Sequence, residues 1–345
     1  MIPKLITYYW RIFQTTGSIF VGRIINGEGF DSKVADFRTG KVRRASSMNE
    51  QVPFTPPTDS LGKLITDAAE VLSDSGVPEA RREAGSLLAY VLAKDRTYLI
   101  SHADEIIDYK QVNAFKGLVL RRAAGEPLQY ITGVQDFFGL QFKVTSDVLI
   151  PRPETELLVE VALGLLKQTP IAMPRICDVG TGSGCIAISL LHCLPAASAV
   201  ALDISPAALE IATTNSLQHR VLDRISLVVS DCFNGLNDDV SEFDLIVSNP
   251  PYVSANALAG LQREVRDHEP RIALSPGGDG LMVIKRLLAE SPYHLKPLGH
   301  LVIEIGFDQG EAVRKLINPN IWQLLDIHPD LQRIPRIVAL QRKGT

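Results

Sequence analysis

The sequence predicts an α/β fold: a mostly parallel sheet with helices on both faces, an antiparallel finish, and a small helical domain ahead of it. Three observations predict it. From about Glu154 onward, strand-like and helix-like segments alternate. The first of those strands runs into a glycine-rich turn and then directly into a helix. Residues 58–125, by contrast, carry only helical periodicity.

The 345 residues are enough for two domains, and 46% apolar with 21% charged residues is ordinary for a globular protein. Residues 1–57 form a basic extension with little periodicity, expected to lack regular structure. Residues 1–47 hold eight Lys or Arg against Glu28, Asp31 and Asp36. This composition also fits a transit peptide, although serine is sparse, and Met48 offers an internal start. The expected location is therefore the cytoplasm, or an organelle if the extension is a transit peptide. With a net charge of -4 overall and +5 in this segment, the rest carries about -9, which disfavours a nucleic-acid-binding body. No apolar run reaches the roughly 18 residues that span a bilayer. Cys177, Cys185, Cys193 and Cys232 form no C-x-x-C pair, so they read as small buried hydrophobes rather than metal ligands.

In residues 58–125, Leu61, Leu64, Ala68 and Leu72 share one helical face behind a capping Asp59 or Ser60 and a stop at Gly76. A second helix starts near Pro78 with Ala84, Leu87 and Leu88 inward, and a third runs from about Tyr109 to Ala124. Such a bundle is too small for a cofactor pocket and reads as a domain that recognises a partner. Residues 126–153 switch to alternating, β-rich sequence, with 129–132, 137–138 and 141–144 as hairpin candidates linking the two domains. Within 154–345 the expected strands are 175–179, 199–203, 225–229, 244–247 and 300–305. Helices are expected at 185–193, 206–218, 279–290 and 309–317, and the last strands at 321–328 and 336–341.

The first of these strands ends in Asp178-Val179-Gly180-Thr181-Gly182-Ser183-Gly184. Glycines there let a ligand approach the backbone more closely than a Cβ allows, at the strand ends where open α/β sheets bind ligands. The third glycine of a dinucleotide fingerprint is replaced by Cys185, and no Gly-Lys-Ser/Thr follows, so neither that motif nor a P-loop is present. A tight strand-to-helix turn is the plainer reading. Asp203, closing the second strand, can accept both hydroxyls of a ribose or cap the next helix, a task that suits Ser205 better. Asp231 can accept an adenine amino group beside Cys232 and Phe233, or simply serve as a turn residue.

The segment Asn249-Pro250-Pro251-Tyr252 follows the buried strand 244–247. Its prolines fix φ and lack N–H groups, leaving rigid carbonyls. The Asn249 side-chain oxygen and the Pro250 carbonyl can each accept one N–H of a planar NH₂ group, and Tyr252 can stack on that group.

The glycine loop, Asp203 and Asn249–Tyr252 together resemble the class I methyltransferases that act on exocyclic or amide nitrogens. More narrowly, the chain resembles the protein-glutamine N5-methyltransferases of peptide chain release factors, the HemK/PrmC family. Arg121–Gly133, Val148–Glu156, Glu264–Arg271, Gly277–Leu281 and Glu304-Ile305-Gly306 carry the likeness from residue 58 to the C-terminus. Cys232 departs from it, since relatives often hold an aromatic there. The resemblance implies a seven-stranded sheet and S-adenosylmethionine as cofactor, bound by Gly180, Thr181, Gly182, Ser183, Gly184, Asp203, Asp231, Cys232 and Asn249. It implies Asn249, Pro250 and Tyr252 as catalytic and Pro251 as a further substrate contact. Arg152, Glu154 and Glu156, in a proline-rigid turn before the catalytic domain, read as lining the substrate site or equally as a salt-bridged linker. The implied substrate is the glutamine of the Gly-Gly-Gln motif in class 1 release factors, handled by a monomer without metal, membrane or direct nucleic-acid contact. His268 invites a base role, although a hydrogen-bonded loop histidine accounts for it as well. The same pocket chemistry also fits a ribosomal-protein glutamine methyltransferase, or an adenine-N6 DNA methyltransferase that would need a basic groove.

Overall fold

The computed structural model describes residues 59–344 except 169–170 and 237–242, together with the backbone of residues 23–26, 29–36 and 41–44. Residues 1–58 form one unit and residues 59–345 another. In the first, β1 (Arg23–Asn26), β2 (Gly29–Asp36) and β3 (Lys41–Arg44) pair as an antiparallel meander, where the sequence suggested no regular structure. Met48 lies outside the described residues. Among those described, no helix is long and apolar enough to cross a membrane.

The second unit opens with α1 (Leu61–Asp74), α2 (Ala80–Leu92), α3 (Arg96–Ser101) and α4 (Tyr109–Ala123). Ser60 caps α1, as one of the two expected candidates, and Asp108 caps α4 through a capping box with Gln111. Leu61, Leu64, Leu72, Leu87, Leu88 and Phe115 make one buried cluster from the faces that their spacing defines.

Residues 129–132, expected as a strand, are instead the short helix α5 (Leu128–Thr132). Pro127 starts it, and Gly133 stops it in the left-handed region at φ 77°. The hairpin itself is β4 (Val134–Phe137) with β5 (Leu140–Lys143). A helix also begins where the sequence suggested a turn. Pro153 opens α6 (Pro153–Gln168), with Glu154 and Glu156 in its first turn, the proline and acid placement that helix N-termini favour.

The remaining strands are β6 (Arg175–Val179), β7 (Ser198–Asp203), β8 (Ile225–Val229), β9 (Phe243–Ser248), β10 (Leu295–Glu304), β11 (Trp322–Pro329) and β12 (Pro335–Arg342). They form one sheet in the order β11-β12-β10-β9-β6-β7-β8, parallel except where β12 pairs antiparallel with β10 and β11. Helices α7 (Cys185–Cys193), α8 (Pro206–Gln218), α9 (Arg263–His268), α10 (Arg271–Leu274), α11 (Met282–His294) and α12 (Gly310–Leu316) complete the unit.

Alternation along β6 divides the core. Ile176 packs with Leu158 of α6 and Ile188 of α7, whereas Cys177 and Val179 pack with Ile284 and Leu287 of α11 on the other face. Three cysteines are buried as expected, but Cys193, at the end of α7, is exposed. Because β7 and β9 flank β6 on opposite sides, the chain reverses direction across the sheet there. That switch point leaves a crevice outside the carboxyl ends of the strands.

Candidate active site

A cavity of about 520 Å³ lies in that crevice, within the range of small-molecule sites. The ends of β6, β7, β8 and β9 supply its walls through Gly180–Ser183, Asp203, Asp231 with Cys232, and Asn249 with Pro250 and Pro251. These residues span some 70 positions of sequence, and the parallel sheet brings their strand ends together.

The three glycines of the loop have different causes. All have positive φ, at 76°, 55° and 82° for Gly180, Gly182 and Gly184. At Gly184 an added Cβ would sit 2.8 Å from Ile188 Cδ1 and 3.3 Å from Ala212 Cβ, so this glycine serves helix packing. At Gly180 and Gly182 a Cβ would meet no protein atom within 4 Å, and both line the cavity. Their bare backbone faces ligand space. The loop is held by Leu202, whose carbonyl accepts the N–H groups of Gly180 and Thr181 at 2.8 and 2.9 Å. Thr181 Oγ1 donates to the buried Asp178 at 2.7 Å. Burial pushes the Asp178 carboxyl up to about 7, against the hydrogen bonds from Thr181 and Ala187.

Asp203 joins two loops. Its Oδ2 accepts Gly182 N–H at 2.8 Å and its Oδ1 accepts Ser205 N–H at 2.9 Å. Ser205, not Asp203, caps α8 by accepting Ala208 N–H at 3.2 Å. The half-buried Asp203 carboxylate therefore keeps lone pairs for a ligand. Burial raises its pKa, and the backbone N–H donors oppose that rise.

Asp231 lines the cavity but pairs with Arg286 at 2.6 Å, so its carboxylate is not free for an adenine alone. Cys232 is buried beside it, its thiol pushed up to about 11 by burial. Phe233 is not part of the cavity lining and stacks on His294 with ring centroids 4.5 Å apart. Arg286, Ile272 and Met282 complete this side of the wall, contributions that local sequence did not signal.

Asn249 donates from Nδ2 to Thr155 Oγ1 at 3.0 Å, and Thr155 donates to Glu304 Oε2 at 2.7 Å. Tyr252 departs from expectation. Its ring packs into the core and its hydroxyl donates to Glu304 Oε1 at 3.3 Å, outside the cavity lining. Burial is the main cause that raises the Tyr252 pKa. Glu304 is 1% exposed, and burial pushes it up to about 7, against its bonds from Thr155 and Tyr252.

Arg152 lines the cavity and pairs at 2.5 Å with Glu269, whose Oε2 also accepts Ile150 N–H at 3.4 Å. Burial raises the Glu269 pKa and Arg152 opposes it. Glu154, expected beside Arg152, is exposed and outside the cavity lining. Successive helical residues turn by roughly 100°, so the start of α6 sends Thr155 inward and Glu154 outward. His268 ends α9 and is not part of the cavity wall.

Two supports were not legible beforehand. Buried Asn215 of α8 donates to Ser183 O at 2.8 Å and to Lys143 O at 3.0 Å, and accepts Lys143 N–H at 2.8 Å. It ties hairpin, glycine loop and helix together. Gly280, at φ 79°, sits where a Cβ would lie 2.2 Å from the Tyr252 carbonyl oxygen. Gly280→Ala is therefore expected to displace the Asn249–Tyr252 loop, costing about 2–3 kcal/mol of stability and on the order of 100-fold in turnover. Thermal unfolding and steady-state kinetics beside Gly278→Ala check this, because Gly278 also has positive φ but open space around its Cβ. Equal behaviour of the two variants would refute the close-contact argument.

Comparison with known proteins agrees with this architecture. Residues 63–133 match the PrmC N-terminal domain family and residues 155–305 the methyltransferase small domain family. A release factor glutamine methyltransferase of Cereibacter sphaeroides is 42% identical over 78% of this chain and 93% of its own length. That of Nitratidesulfovibrio vulgaris is 39% identical over 84% and 98%. A bifunctional methyltransferase of Rickettsia felis is 38% identical over 81% of this chain, which spans only 57% of that longer protein. With near-complete coverage of the single-function relatives at this identity, the chain belongs to the release factor glutamine methyltransferase family.

Proposed function

We propose that this protein transfers a methyl group from S-adenosylmethionine to the side-chain amide nitrogen of a glutamine, the one in the Gly-Gly-Gln motif of class 1 peptide chain release factors. The observation that carries the reading is the anchored Asn249 amide at the cavity wall. Its NH₂ is committed to Thr155, so its oxygen remains to accept an N–H of the substrate.

The bare backbone at Gly180 and Gly182 and the Asp203 carboxylate suit the cofactor, with Asp203 accepting ribose hydroxyls and Cys232 giving apolar surface to the adenine. S-adenosylmethionine supplies an electrophilic methyl carried on a sulfonium. An amide nitrogen is a weak nucleophile because its lone pair is delocalised. Asn249 Oδ1 and the Pro250 carbonyl, each accepting one N–H, draw electron density toward nitrogen and hold its remaining face toward the methyl. Orientation of this kind lowers barriers by roughly 7–11 kcal/mol. The departing proton stays hydrogen-bonded to one of these acceptors until it passes to solvent, so no separate base is needed. Arg152 at the wall contributes to substrate seating, and residues 58–125 contribute the surface that recognises the release factor.

The helical domain is braced for that role. Arg122 of α4 pairs with Glu83 of α2 and, at 2.6 Å, with Glu264 of α9, next to the segment that forms the cavity rim. A side-by-side assay with purified release factor, ribosomal protein and duplex DNA, read by mass spectrometry, tests the proposal. Methyl gain on the release-factor glutamine alone is expected. Methylation of DNA or of ribosomal protein in its place would overturn it.

A further inference from the structure

We propose that Thr155 and Glu304 are positioning residues that fix which end of the Asn249 side-chain amide faces the substrate. The inference rests on Asn249 acting as the acceptor of a substrate N–H. An asparagine amide can be turned over at little steric cost, exchanging oxygen for NH₂. Were Asn249 turned over, it would offer a donor to the substrate's own N–H, and the site would repel what it must bind.

With the Glu304 carboxylate ionised and able only to accept, the network forbids that orientation by proton count. A threonine hydroxyl has one proton to give. Thr155 gives it to Glu304 Oε2 at 2.7 Å, and so can only accept at its other face. Asn249 Nδ2 meets that face at 3.0 Å. With the amide reversed, Asn249 Oδ1 would meet Thr155 Oγ1 with lone pair against lone pair. Glu304 holds the direction of the chain, because its second oxygen accepts the Tyr252 hydroxyl at 3.3 Å. It is 1% exposed, and Thr155 is 2% exposed, so water does not readily substitute for either partner. The polarity runs from Asn249 through Thr155 into Glu304. This also gives the inward-turned Tyr252 a task, as a donor that occupies Glu304 rather than as a stacking platform.

The arrangement gathers residues from three elements: α6, β10 and the loop after β9. None of Thr155, Glu304 and Tyr252 touches the reacting nitrogen in this scheme. Their effect is on the population of the productive Asn249 orientation. Their loss therefore lowers kcat with little change in the affinity for cofactor or release factor.

The test uses the full-length protein with release factor as substrate. Thr155→Val, which keeps the side-chain shape and removes the hydroxyl, is expected to lower kcat on the order of 10–100-fold. KM for release factor and Kd for S-adenosylmethionine should stay within about threefold, as a remote positioning loss predicts. Thr155→Ser, which restores the hydroxyl, should recover most of that kcat even if valine impairs folding. Asn249→Ala runs beside them. If it leaves kcat intact, the acceptor role itself fails. If it abolishes turnover while Thr155→Val stays within twofold of the parent, the relay alone is wrong. Equal loss in the serine and valine variants also overturns the relay, since the hydroxyl would then not be what matters.

Discussion

Asn249→Ala is expected to lower kcat by about 10²–10³-fold while the Kd for S-adenosylmethionine changes by less than about threefold. Removal of one preorganised partner of a reacting group typically costs that much, because the lost interaction strengthens as charge develops. Here the partner is preorganised on both sides. Ser248, the preceding residue, donates to Val179 O at 2.7 Å, and the amide is tied to Thr155 at 3.0 Å. Pro250 and Pro251 fix the chain beyond it. Alanine keeps this backbone and removes the acceptor together with the Nδ2 donor to Thr155. The glycine loop and Asp203, which hold the cofactor in this reading, lie on β6 and β7 and should keep their geometry. A radiolabelled-methyl assay under saturating substrates gives kcat, and calorimetric titration gives the affinity. If both fall together, Asn249 is a cofactor contact rather than the group that orients the amide nitrogen.

Much of the frame was legible because it depends on local pattern. The strands at 175–179 and 225–229 fall where expected, since short apolar runs bounded by polar turns have few other structures open to them. The helices at 185–193 and 206–218 were equally plain, the second with Ser205 and Pro206 at its start. Other elements failed on competing local signals. Gln129–Thr132 shows strand-like alternation, but Pro127 and Gly133 close it into one helical turn. Pro153 with Glu154 and Glu156 reads equally as a rigid turn or as a helix start, and α6 extends beyond it through apolar Leu158, Val159 and Ala162.

The site divides in the same way. Glycines, Asp203 and Asn249 sit at strand ends, so topology alone placed them. Side-chain direction was a different matter. Thr155 meets Asn249 from 94 residues away, and Asp231 meets Arg286 from 55. Nothing in either local sequence encodes such a partner. Tyr252 turns inward because Glu304, buried in β10, needs a donor there, which no motif adjacent to Tyr252 reveals.

The second large effect concerns the cofactor. Asp203→Ala should raise the Kd for S-adenosylmethionine by about 30–150-fold, while kcat at saturating cofactor falls only a few-fold. Two ribose hydroxyls bound to a partly desolvated carboxylate supply about 2–3 kcal/mol, which converts to that range. The variant also strips acceptors from the N–H groups of Gly182 and Ser205, at 2.8 and 2.9 Å, so part of the loss is the cost of ordering the loop on binding. Asp203→Asn separates the two contributions. It keeps one acceptor for the loop but offers a donor where a hydroxyl must donate, so its affinity should lie between parent and alanine. In this reading the methyl-accepting geometry is set on α6 and the loop after β9, away from Asp203, and so turnover should survive once the cofactor is forced on. Calorimetry with kinetics at raised cofactor concentration separates affinity from turnover. An unchanged Kd in the alanine variant would remove the ribose contact from the site. A lost kcat with intact Kd would move Asp203 from holding the cofactor to shaping the reaction.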